Sequence, residues 1–120
     1  MTDTGWKKVC TTSVADVPWT ELTLDSDMGE NGNISYRIKN GICYVNVNNL
    51  ESSTMSTKDK TIVIGLPIPE TTKAWHQLIS NVATDGGLLV NIDDTGKMIH
   101  HEGLNNKLYF GTFSYPVKES

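Results

Sequence analysis

The run Ile34-Ser35-Tyr36-Arg37-Ile38-Lys39-Asn40-Gly41-Ile42-Cys43-Tyr44-Val45-Asn46-Val47 decides the fold class. Asn-Gly between two β-rich runs signals a type I′ hairpin, because that turn needs positive φ at both central residues. With Asn40 and Gly41 in the turn, Lys39 faces Ile42, Ile38 faces Cys43, Tyr36 faces Val45 and Ile34 faces Val47. Directly opposite residues project to the same side of a sheet. One face then reads Ile34, Tyr36, Ile38, Cys43, Val45, Val47, and the other Ser35, Arg37, Lys39, Ile42, Tyr44, Asn46. Turn chemistry alone has sorted apolar from mostly polar on both strands.

Short β-rich runs separated by turn residues continue on either side, the pattern of an all-β sandwich or barrel. Gly5 to Thr12 reads as a first strand, with Trp6 and Val9 as anchors. Pro18 opens a second, Trp19 to Leu24, and Asp25 to Asn33 is a polar turn region. Glu51 to Lys60 is Ser/Thr-rich and reads as a mobile loop. Thr61 to Leu66 is a strand closed by Pro67 and Pro69. The spacing of Trp75, Leu78, Ile79 and Val82 also suits a helix. Strand is preferred, because strands flank it and Asp85-Gly86-Gly87 then forms a hairpin turn. Leu88, Val90 and Ile92 alternate, Asp93 to Gly96 is a turn, and Lys97 to His100 returns as the partner strand. The last strand, Leu108 to Tyr115, carries Tyr109, Phe113 and Tyr115 on one face and Phe110 on the other. A strand apolar on both sides is covered on both, by a second layer or a neighbouring subunit. Gly111 within it marks a bulge or a close backbone approach.

At 120 residues the chain is expected to be one domain, residues 1–120. Charged residues make up 20% and the net charge is −4. With only Lys7 and Lys8 adjacent, no basic patch for nucleic acid is apparent. No run approaches the ~20 apolar residues of a membrane span. The N-terminus lacks a charged-then-apolar signal pattern, so the chain is expected to be made in a cytoplasm or to be a fragment with an added Met1. Cys10 and Cys43 are too few for a disulfide framework and read as buried thiols, a bridge between them being the alternative.

His100-His101-Glu102 looks at first like a metal cluster. Adjacent strand residues point to opposite faces, however, and His76 is the only further histidine, so no metal site is assigned and the pair reads as solvated or half-buried histidines at a strand end. Asp93 and Asp94, with Asp25, Asp27 and Glu30, match no EF-hand pattern and read as turn formers. No nucleophile elbow, phosphate loop or dinucleotide fingerprint appears, and the chain reads as non-enzymatic and without cofactor. Trp6, Trp19 and Trp75 read first as core. Trp75 is the best exception, an aromatic ring beside the polar His76, a combination that suits stacking on a sugar face. The candidate ligand-binding residues are Trp75 and His76, with His100, His101, Asn105 and Asn106 as a second polar cluster.

Trp6, the hairpin Tyr36 to Val45, Gly65-Leu66-Pro67, Asp94-Thr95-Gly96 and the closing Phe113-Ser114-Tyr115-Pro116-Val117 fall in a recognisable order. Together they resemble the C-terminal head domain of bacteriophage tail-fibre and receptor-binding proteins of siphophages and prophages of Gram-positive hosts. The resemblance spans nearly the whole chain. It departs after Pro67, where Ile68-Pro69-Glu70 stands in place of a Gly-Tyr-x-Pro run. It implies an antiparallel β-sandwich or jelly-roll-like head, a homotrimer about a fibre axis, and adhesion to host-envelope saccharide. It also implies contact with other tail proteins on the N-terminal side, residues 1–5 being a shaft remnant or a cloning end, and a place at the virion tail tip after assembly in the host cytoplasm. No binding residue falls in the shared motif, so none is carried over. A structural tail or baseplate protein, a monomeric carbohydrate-binding module and a small hydrolase are the competing readings.

Overall fold

The structure is a computed structural model that describes residues 14–26, 28, 31–57, 59–72, 74–82, 84 and 86–119. Among the described residues there are eight strands: β1 (Val17–Leu22), β2 (Asn31–Lys39), β3 (Ile42–Glu51), β4 (Thr61–Val63), β5 (His76–Ser80), β6 (Leu88–Ile92), β7 (Met98–His100) and β8 (Tyr109–Pro116). They form one sheet in the order β1-β2-β3-β8-β5-β6-β7-β4, and every pairing is antiparallel. No described residue is helical. The chain is an all-β antiparallel domain.

The β2–β3 hairpin has the register read from its turn: Ile34 opposes Val47, Tyr36 Val45, Ile38 Cys43 and Lys39 Ile42. Asn40 and Gly41 take φ values of 52° and 79°, as a type I′ turn requires. Ile34, Ile38, Cys43, Val45 and Val47 are buried. Central β3 pairs on its other side with β8, Cys43 opposite Tyr115 and Val45 opposite Phe113. Pro18 lies in β1, an edge strand, where a missing N–H costs the sheet little.

β5 is where the sheet turns over. Its C-terminal residues Ile79 and Ser80 pair with Phe110 and Tyr109 of β8, whereas His76 to Leu78 pair with β6. The β6-β7-β4 part thereby faces the β1-β2-β3-β8 part. Leu78, Leu88, Val90, Ile92, Met98, Ile62 and Val63 from one layer meet Ile34, Val45, Val47, Leu50 and Tyr109 from the other in a single core. The two edges approach each other: the Asp25 N–H, just past β1, donates to the Ile62 carbonyl of β4 at 2.7 Å. Helical spacing at Trp75–Val82 lost to strand because the inward residue, Leu78, is wholly buried between these neighbours while Gln77 and Ile79 face out.

Three expectations need correction. The Glu51–Lys60 loop, read as mobile and polar, carries Ser52 and Met55 fully buried. It is also stitched to the 101–108 loop by Gly103 N–H to the Met55 carbonyl at 3.0 Å and Asn106 N–H to the Ser52 carbonyl at 2.8 Å. Trp19, read as core, is 52% exposed. The Thr61–Leu66 strand is shorter than read, ending at Val63. The Gly5–Thr12 strand, Trp6, Cys10, Asp27, Glu30 and Asp85 lie outside the described residues. Cys43 is a buried free thiol, its pKa pushed up to about 11 by burial against a smaller opposing effect of its hydrogen bond with Tyr115. Asp93 is a turn former. Its carboxylate accepts from Thr95 N–H, Thr95 Oγ1 and Lys97 N–H at 2.8, 2.6 and 3.1 Å.

Candidate functional site: two aromatic platforms on the outward face

Alternation along the strands of the continuous sheet separates inward from outward residues, and this settles where each candidate lies. On β5, β6 and β7 the inward row is His76, Val90 and His100, placed opposite one another across the strands. Trp75 and His101 are the residues just before β5 and just after β7, and they point outward. β6 lies between those strands, so the two rings meet across it. Their centroids are 6.1 Å apart and their planes stand at 70°, an edge-on contact.

This platform is held from below. The Asn91 amide donates to the carbonyls of Thr72 and Ala74 at 2.6 and 2.9 Å, fixing the segment that leads into Trp75. On the other side the His101 N–H donates to the Leu89 carbonyl at 2.8 Å. Trp75 is 51% exposed, and Leu89 and His101 are exposed beside it. An exposed indole face with an imidazole at its edge offers an apolar surface and a polar atom side by side.

The other sequence candidates lie elsewhere. His76 is half-buried and stacks on Phe113, with Tyr115 nearby. Burial holds its pKa below the ordinary 6.5. His100 is completely buried, not solvated or half-buried as its place at a strand end suggests. Its Nδ1 donates to the His101 carbonyl, which leaves Nε2 as the unprotonated ring nitrogen, buried and without a hydrogen-bond partner. Asn105 and Asn106 belong to the loop stitch: the Asn105 side-chain oxygen accepts from Ser56 N–H at 2.7 Å, and Asn106 holds a left-handed φ of 60°. Of the six candidates, Trp75 and His101 come together outside, whereas His76 and His100 share the inward row. Among the described residues no three His, Cys, Asp or Glu groups are placed to hold a metal ion.

A second platform was not singled out from the sequence. On the outward side of β1, β2 and β3 the Arg37 guanidinium lies 5.3 Å from the Trp19 ring centroid and 5.3 Å from that of Tyr44. Each such contact contributes about 0.5–1 kcal/mol at an exposed site. A hollow of about 390 Å³ opens beside them, lined also by Thr112 and Ser114 of β8. The Arg37 Nε is buried there without a hydrogen-bond partner. Half of this grouping was legible, since Arg37 and Tyr44 stand opposite each other in the hairpin register. Trp19 joins them only through the β1–β2 pairing, whose register shifts between Val17 and Thr20.

No protein-family model matches this chain, and no curated protein sequence matches it. Among solved structures, the head domain of lactococcal phage bIL170, described as a receptor-binding domain, superposes with a TM-score of 0.51 at 19% identity. The match covers 86% of this chain and all of the other. At that identity the likeness establishes a common fold. The chain thus has the fold of a phage receptor-binding head domain.

Proposed function

We propose that this chain is a non-catalytic adhesion head of a phage tail that binds saccharide on the envelope of a Gram-positive host. The observation that carries the reading is the pair of exposed aromatic platforms on the outward side of one continuous sheet, in the fold of a receptor-binding head. Exposed tryptophans with polar neighbours suit sugars, whose apolar faces stack on rings while their hydroxyls take hydrogen bonds. At Trp75 the neighbouring imidazole of His101 supplies the polar partner. At Trp19 the hydroxyls of Thr112 and Ser114 and the guanidinium of Arg37 do so.

The head acts as a homotrimer at the virion tail tip, joined to other tail proteins through its N-terminal side. Shallow sites of this kind bind weakly one at a time. Linking three on one axis raises the apparent affinity by orders of magnitude, about 10²–10⁴-fold. Adsorption of the labelled chain to lactococcal cells, in competition with polysaccharide extracted from their walls, tests the reading. Saturable adsorption that the extract abolishes supports it. Adsorption that resists the extract and survives periodate oxidation of the wall sugars contradicts it.

A further inference from the structure

We propose that His100 is a positioning residue for the Trp75–His101 platform, holding it assembled while its imidazole is neutral and releasing it when the ring takes a second proton. This rests on the adhesion reading for its consequence, but on the geometry of the buried row for its mechanism. His100 touches no ligand, because it is wholly buried on the inward face. Its one polar side-chain bond runs from Nδ1 to the carbonyl of His101, and the N–H of that same His101 is bound to Leu89. The backbone of His101 is thereby held from both sides, and its ring is what meets Trp75.

The neutral ring fits this place in only one way. With Nδ1 donating, Nε2 carries a lone pair in a space that offers it no partner. A second proton would add at Nε2 and create a buried N–H and a buried charge with no acceptor. The protein avoids both by letting the ring reach water, and that motion gives up the bond to His101.

The charged groups acting on this ring from the neighbouring segments do not rescue the cation. Burial, the largest effect, opposes it, as do the charges of Lys60 and His101, and these outweigh the bond to the His101 carbonyl and the charge of Asp59, which favour it. Asp59 and Lys60 belong to the segment beside β7, with Asp59 N–H donating to the His100 carbonyl at 2.8 Å and His100 N–H to the Lys60 carbonyl at 3.4 Å. On the other side, beyond Val90 in the same inward row, stands His76, a second ring that burial holds neutral. Loss of the platform on protonation is therefore expected below pH 6.5 and not above it.

The test uses the full chain labelled with ¹⁵N, followed from pH 7.5 to 5, with wild type and H100N compared. Asparagine keeps an N–H for the His101 carbonyl and cannot be protonated. In wild type the Trp75 indole N–H resonance and the His100 ring proton should titrate with one shared midpoint below 6.5. Binding of lactococcal wall polysaccharide should fall at least tenfold over the same range. In H100N the part of the indole shift that follows the His100 midpoint should be absent, and binding at pH 7.5 should persist. If the Trp75 resonance in H100N still moves with that midpoint, a group other than His100 drives it and the proposal is overturned. Should H100N not fold, the wild-type midpoints decide: a Trp75 resonance that does not follow the His100 ring proton overturns it equally. If the polysaccharide binds at no pH, the adhesion reading falls, while the indole titration still decides the coupling.

Discussion

The imidazole of His76 lies flat against the ring of Phe113, centroids 4.4 Å apart and planes 10° apart. Extending the β5–β8 register from Ile79–Phe110 would place these two residues opposite each other. β5 has by then turned to pair with β6. The stacked rings keep the two layers in contact where the backbone ladder has parted, just behind the residue that carries the outward indole of Trp75.

That stack makes stability depend on pH. Burial disfavours the charged form of both His76 and His100, so each folded-state pKa lies below the ordinary 6.5. Between those values the unfolded chain binds more protons than the folded one. Stability is therefore full above pH 6.5 and falls as pH drops toward the folded values. Urea unfolding at pH 7.5, 6.5 and 5.5 should show this decline, and H76Q should make it shallower.

Gly96 cannot accept a side chain. Its φ is +82°, and a Cβ there would stand 2.5 Å from the Leu66 carbonyl oxygen, a backbone atom. The Leu66 N–H also donates to the Gly96 carbonyl at 3.1 Å, so the two segments have no room to part. G96A should lower stability by about 2 kcal/mol or more, read as a drop in the urea midpoint without a change in slope.

Met55 tests whether the 51–60 loop is part of the core. The residue has no exposed surface, and its side chain reaches the space over Gly103. M55A should cost about 2–5 kcal/mol, the range for truncating a buried methionine, whereas S56A on the exposed side of the same loop, where the backbone N–H and not the hydroxyl bonds to Asn105, should change stability by less than about 0.5 kcal/mol. Thermal melts of the two variants side by side decide the matter.

Trp19 and Arg37 separate binding from folding. Trp19 is more than half exposed, so W19A should shift stability by about 1 kcal/mol or less. If the hollow beside it receives part of the saccharide, W19A and R37M should each weaken cell adsorption by roughly tenfold, as the loss of one stacking or charged partner would. Adsorption isotherms on lactococcal cells, with melts as the folding control, provide the comparison.

The parts legible in the sequence are those fixed by neighbours in the chain. Asn40-Gly41 sets a register, alternation at Leu88, Val90 and Ile92 sets a face, and both stand in the structure. The opposed directions of His100 and His101 were legible for the same reason. Features that depend on distant pairing were not. Met55 looks like a loop residue until the 101–108 loop closes over it. Trp19 is exposed because it lies on the outward side of the sheet, and its place there depends on a β1–β2 register that shifts between Val17 and Thr20. The meeting of Trp75 and His101 requires β5, β6 and β7 to be adjacent, although the residues themselves were singled out.

The most direct test is to record ¹⁵N–¹H spectra of the chain while adding purified lactococcal wall polysaccharide at pH 7.5. Saccharide bound on the outward face should shift the Trp75 indole and the Leu89 and His101 amides, or the Trp19 indole with Tyr44 and Ser114, and leave Val90 and Leu78 unmoved. An unchanged spectrum at saturating polysaccharide, or shifts confined to residues away from both platforms, would contradict the proposed site.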